Sequence, residues 1–146
     1  MTLGDSNPAA VARAAFQSEA VPGGANVVLV DTSVWVDHLR SPDAVLASLL
    51  KAKGVACHPF IIGELACGNV GKRAEVFEQL AELPSLDKAT DEEVLTIIET
   101  HRLMGHGLGL VDVHLLASCA LAGLRLWTRD AALADAAARL GLAARV

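Results

Sequence analysis

The chain has 146 residues, a formal net charge of −5 and 3 % aromatic residues. That length fits one domain, and 53 % hydrophobic against 20 % charged residues supplies a buried core and excludes a disordered chain. The negative balance excludes a general basic coat for nucleic acid, although bound divalent cations can invert the sign of an acidic pocket locally.

Residues 1–26 are rich in Ala, Pro, Gly and Ser. They lack the basic start and continuous apolar stretch of a secretory signal, and are expected to form a flexible extension ahead of a folded domain over 27–146. Val27 to Asp31 is a continuous aliphatic run, which predicts a strand covered on both faces. Thr32 to Arg40 reads as a helix with Val34, Trp35 and Leu39 on one face. Ser41-Pro42-Asp43 opens a second helix that runs through Ala44 to Ala52 and stops at Gly54. Val55 to Cys57 is a short strand, Pro59 to Val70 a helix ended by Gly71, and Lys72 to Leu83 another helix with Val76, Phe77, Leu80 and Leu83 on one side. Thr90 and Glu93 match a capping box, and the helix behind them is expected to bury Val94, Ile97, Ile98 and His101. Glycines 105, 107 and 109 end it. Leu110 to Ala122 is a helix, Leu124 to Trp127 a strand, Asp130 to Leu140 a helix, and Leu142 to Val146 a closing strand or tail. Strands alternating with helices imply a parallel sheet with helices on both faces.

No apolar run reaches the roughly 20 residues that cross a bilayer; the longest, around Leu115 to Leu124, is broken by Ser118, Cys119 and Gly123. Cys57, Cys67 and Cys119 form no Cys-x-x-Cys pair and each has apolar neighbours. They read as small buried hydrophobes in a reducing, cytoplasmic compartment. The histidines His38, His58, His101, His106 and His114 are scattered, without His-Glu-x-x-His, and read as packing or surface groups. Gly63 and Gly68 have the spacing of a phosphate loop, but Asn69 follows where Lys belongs.

The acids carry the chemistry. Asp31 ends one strand, and Asp130 lies just past Leu124 to Trp127. Ligands of open α/β sheets bind beyond the carboxyl ends of strands, but each of these acids is equally an N-cap for the next helix. Glu64 interrupts Phe60-Ile61-Ile62-Gly63 and Leu65-Ala66-Cys67, which makes it either a solvated helical residue or a paired one. Asp112 stands in Leu110-Val111 and Val113-His114, with a favourable first-turn charge as the plainer reading. Carboxylates brought together repel, and a hard dication with oxygen ligands would resolve that. Convergence of this kind serves a nuclease, a phosphatase or a structural cation equally.

Four segments resemble those of PIN-domain nucleases, and in particular the VapC-type toxins of toxin–antitoxin pairs. They are Val30 to Leu39, His58 to Leu65, Gly107 to Ser118 and Leu126 to Asp130, each centred on a carboxylate and met in order from about Val27 onward. The extension at 1–26 lies outside the family pattern. The resemblance implies a PIN-like three-layer α/β/α fold with a mostly parallel sheet of about five strands. It implies Mg²⁺- or Mn²⁺-dependent endoribonuclease activity on tRNA or rRNA loops, with Asp31, Glu64, Asp112 and Asp130 as catalytic, metal-binding acids. Asp31 and Asp112 would be the direct ligands. Ser33 and Thr128 are candidate hydroxyls that orient those acids, with a helix-start role for Ser33 left open, and Arg129 is a candidate RNA contact or a solvated surface group. The resemblance also implies a homodimer, a VapB-type antitoxin and no membrane attachment.

The alternatives are a phosphate-monoester hydrolase and a non-catalytic module that binds a cation or basic peptide. Asp31-Thr32-Ser33 lacks the Asp-x-Asp of an aspartyl-phosphate enzyme, which weakens the first. Retention of all four acids weakens the second.

Overall fold

The computed structural model describes residues 26–146; the expected extension at 1–26 lies, but for Asn26, outside them. Strand β1 (Val28–Val30) is central, with β2 (Val55–Ala56) on one side and β3 (Arg125–Trp127) on the other, all parallel. Val28, Leu29 and Val30 are all buried. Successive side chains point to opposite faces of a sheet, so both faces of β1 are covered, as its unbroken aliphatic run requires.

Three strands are fewer than the five or so expected. The difference lies at the edges, where the chain touches the sheet at single points. Ser85 bridges Cys57 beyond β2, and Ala143 bridges Leu126 beyond β3, both in the parallel sense. Leu126 receives the Ala144 amide at 2.9 Å and gives its own to Leu142 at 2.7 Å. The closing segment is therefore a one-residue edge contact rather than a strand.

Helix α1 (Thr32–Arg40) follows β1 directly, and α2 (Ala44–Lys51) begins at Asp43, whose Oδ1 accepts the Leu46 amide at 2.9 Å. Helix α3 (Pro59–Cys67) has proline in its first turn, where a missing N–H costs nothing. It stops three residues short of the expected Val70. Gly68 is extended there, and the Arg73 guanidinium takes the carbonyls of Ala66 at 2.7 Å and Gly68 at 3.3 Å. Helix α4 (Arg73–Ala81) follows.

The expected capping box opens α5 (Asp91–His101): the Thr90 amide meets Glu93 Oε1 at 2.8 Å and the Glu93 amide meets Thr90 Oγ1 at 3.1 Å. Val94 is buried and Ile97 and Ile98 half-buried, but His101, which continues that stripe as the last residue of the helix, is exposed. Helix α6 (Leu110–Ala122) is the most deeply buried, with Val113 to Cys119 all in the core. Gly123, at φ +71°, ends it in the left-handed conformation that glycine adopts without strain. Helix α7 (Ala131–Arg139) follows β3.

Cys57 and Cys119 are buried as expected, and burial pushes the Cys57 thiol up to about 11. Cys67 is exposed, contrary to expectation: its neighbours are apolar in sequence, but it lies on the outer side of the last turn of α3. No described helix is long and apolar enough to cross a membrane.

Candidate active site

The chain runs from β1 to β2 on one side and later returns to β3 on the other. The carboxyl end of β1 is thus the switch point of the sheet, where ligands of open α/β folds bind. Asp31 occupies it, its amide bonded to the Trp127 carbonyl at 2.9 Å.

Asp31 stands at the N-cap position of α1, yet its side chain makes no cap hydrogen bond. Its Oδ2 instead accepts Ser33 Oγ and Thr128 Oγ1, each at 2.8 Å. The Ser33 oxygen accepts the Arg129 amide at 3.0 Å, and the Thr128 oxygen accepts the Asp130 amide at 3.1 Å. Both hydroxyl protons are therefore committed to Asp31, and the hydroxyls merely touch at 3.3 Å. The capping role is excluded for Asp31. A carboxylate only 6 % exposed is held by two donors on one oxygen, while Oδ1 has no hydrogen-bond partner among the described residues.

The other acids are each tethered locally. Asp130 does cap its helix, Oδ2 accepting the Leu133 amide at 2.9 Å. Asp112 Oδ2 accepts the Gly109 amide at 2.9 Å across the first turn of α6. Burial raises the Asp112 carboxyl above its ordinary value; that amide opposes the rise, and the charges of Asp130 and Asp31 add to it. Asp31, Asp112 and Asp130 thus share one field at the sheet's carboxyl edge. Glu64 is exposed and accepts Thr32 Oγ1 at 2.7 Å, which ties α3 to the residue next to Asp31. Among the described residues, no three His, Cys, Asp or Glu side chains come close enough together to ligate one ion directly.

The donor set is oxygen only, which suits a hard dication. Mg²⁺ characteristically takes one or two carboxylates and keeps several waters, so such an ion does not require three direct protein ligands.

Arg129 is exposed, and its guanidinium is held by two ion pairs, with Asp37 at 2.7 Å and Asp43 at 2.6 Å. Those partners lie 92 and 86 residues away in sequence, beyond any local pattern. Thr32 was also not singled out from sequence; a hydroxyl next to a strand-end acid was the available signal. Beside Glu64 a groove of about 420 Å³ opens between α1 and α3, with Val36, Leu39, Arg40, Leu65 and Asn69 in its lining.

A parallel sheet with carboxylates at its central switch point defines an acid-site α/β protein, and a model of the PIN domain matches residues 28–139. The chain belongs to the PIN-domain family. Within that family it stands with the VapC-type proteins. It is 48 % identical over 118 residues to Ribonuclease VapC32 of Mycobacterium tuberculosis (strain CDC 1551 / Oshkosh), covering 80 % of this chain and 95 % of that one. The Ribonuclease VapC32 of strain ATCC 25618 / H37Rv gives the same figures. Among solved structures, the crystal structure of PAE2754 from Pyrobaculum aerophilum superposes with a TM-score of 0.53, covering 79 % of this chain and 83 % of that one, at 22 % identity. This last likeness concerns the fold.

Proposed function

We propose that this protein is a divalent-metal-dependent endoribonuclease, the toxin of a VapBC-type toxin–antitoxin pair, that hydrolyses phosphodiester bonds in tRNA or rRNA loops. The observation that carries the reading is the buried Asp31 carboxylate at the switch point, with two hydroxyl donors on Oδ2 and Oδ1 unpaired. Identity of 48 % to a ribonuclease supports it.

Asp31 and Asp112 would hold Mg²⁺ or Mn²⁺, with Glu64 and Asp130 completing the acidic cleft through water. When bound, the cation supplies charge neutralisation at the scissile phosphate and lowers the pKa of a water. The protein's part is to fix Asp31 through Ser33 and Thr128 and to tether Glu64 to Thr32, the residue next to Asp31. A carboxylate of the cleft accepts the proton of the attacking water. No side chain becomes covalently attached.

A VapB-type antitoxin with a basic segment would cover this acidic cleft, and the protein would act as a homodimer in the cytoplasm. The free thiols of Cys57, Cys67 and Cys119 accord with a reducing compartment.

The test is to map cut sites in total RNA after brief induction of wild type beside Asp31→Asn. Discrete metal-dependent cuts are expected from wild type, and none from a variant with an unchanged circular dichroism spectrum. Equal cutting by both would refute the role given to Asp31.

A further inference from the structure

Both ion pairs among the described residues belong to Arg129. Its Nη1 donates to Asp37 on α1, its Nη2 to Asp43 at the start of α2, and its guanidinium carbon lies 5.6 Å from the Trp127 ring centroid. The acids are themselves placed: the Asp43 amide donates to His38 Nδ1 at 2.9 Å, and Asp43 Oδ1 caps α2. The Leu46 amide and Arg129 together hold the Asp43 carboxyl below its ordinary value.

The backbone of the same residue lies within the site. The Arg129 amide donates to Ser33 Oγ, and its chain neighbours are Thr128, which donates to Asp31, and Asp130, which caps α7. One cation between two carboxylates leaves the group with net negative charge, so it offers no positive charge to a phosphate.

We infer that Arg129 is a positioning residue, whose clamp onto Asp37 and Asp43 fixes the segment Thr128–Asp130 so that Ser33 and Thr128 converge on Asp31. The inference rests on the proposed function, its kinetic arm on the nuclease reading and its calorimetric arm on the metal site. Exposed ion pairs contribute little stability, about 0–1 kcal/mol, and the clamp's consequence lies in placement instead. A shift of about 1 Å in a group that orients the reaction costs on the order of 100-fold in rate.

The experiment compares wild type with Arg129→Gln, Arg129→Lys and the double variant Asp37→Asn/Asp43→Asn. Asparagine caps helices as well as aspartate does, so α2 keeps its start. Mn²⁺ affinity is measured by calorimetry without RNA, and kcat and KM are measured on a cleaved RNA at saturating Mn²⁺. Arg129→Gln and the double variant should both weaken Mn²⁺ binding about 10-fold, as loss of groups that orient metal ligands does. Both should lower kcat and leave KM unchanged. Arg129→Lys should fall between, because an ammonium cannot bridge both acids as the planar fork does.

A raised KM with a shallower salt dependence in Arg129→Gln, at unchanged Mn²⁺ affinity, would make Arg129 an RNA contact and overturn the proposal. A lower melting temperature with every constant unchanged would reduce the clamp to a strut and overturn it equally. If wild type binds Mn²⁺ but cuts no RNA, the ribonuclease reading fails while the affinity series still decides the role of Arg129. If wild type binds no Mn²⁺, both fall.

Discussion

His58 Nε2 lies 3.0 Å from Ser118 Oγ, a hydrogen bond that joins the start of α3 to the middle of α6 inside the core. The proton's place follows from the neighbours. The Phe60 amide donates to His58 Nδ1 at 3.0 Å, so the proton is on Nε2, and the Ser118 hydroxyl donates onward to the Asp87 carbonyl at 2.9 Å. This chain registers the helix of Glu64 against the helix of Asp112.

His58 is fully buried, and burial, followed by the charges of His114 and Lys88, lowers its pKa from 6.5 to about 4. The folded protein holds it neutral while the unfolded chain binds a proton below about 6.5, so the unfolded state gains as pH falls. The contribution is fully present above pH 6.5 and is lost on the way down to pH 4, on the order of 3 kcal/mol in all. Urea unfolding of wild type between pH 7.5 and 4.5 should show that decline. The slope should be shallower in His58→Gln, which has no ring to protonate; equal slopes would assign the pH dependence to other groups.

Ser118→Ala removes the middle of the chain and leaves the His58 N–H and the Asp87 carbonyl without partners. The volume change is one oxygen, so the loss is mainly that of stranded polar groups, about 1–3 kcal/mol. A fall of that size in the urea midpoint, with the denaturant slope unchanged, is the expected result. Ser118→Cys, which keeps a weak donor, should lose less.

How far the sequence carried the architecture can be judged from particular residues. The unbroken run into Asp31 placed the central strand, and the Thr90–Glu93 box placed the start of α5, because both signals are local. The closing segment reads equally as strand or tail, since a single bridge to Leu126 has no periodicity to read. The same limit governed the site. Asp31 and Asp130 were visible from their place after strands, but their different bonding was not: one accepts hydroxyls from Ser33 and Thr128, and the other caps α7. The exposure of Cys67 and the ion-pair partners of Arg129 lie beyond the sequence for a shared reason. Which side of a helix faces water, and which acid a long side chain reaches, are settled by tertiary packing.

The hydroxyls of Ser33 and Thr128 are the donors on Asp31 Oδ2. Ser33→Ala and Thr128→Val each leave one donor and should weaken Mn²⁺ binding modestly. The double variant frees the carboxylate to rotate and should weaken binding by about 10–100-fold, the usual cost of losing groups that orient ligands. Calorimetry would measure this directly. Additive single effects would indicate that the two hydroxyls act independently, against a shared hold on one oxygen.

Asp130 carries two roles that substitution can separate. Its Oδ2 caps α7 through the Leu133 amide at 2.9 Å, and its charge bears on Asp112. Asp130→Asn keeps a capping oxygen and removes the charge, so stability should stay close to wild type while metal-dependent RNA cleavage falls. Asp130→Ala loses the cap as well, at about 1 kcal/mol, and should show the same loss of cleavage together with a lower urea midpoint. If Asp130→Asn cleaves RNA at the wild-type rate while Asp130→Ala is merely less stable, Asp130 is a helix cap and no more, and the acidic cleft consists of Asp31, Asp112 and Glu64.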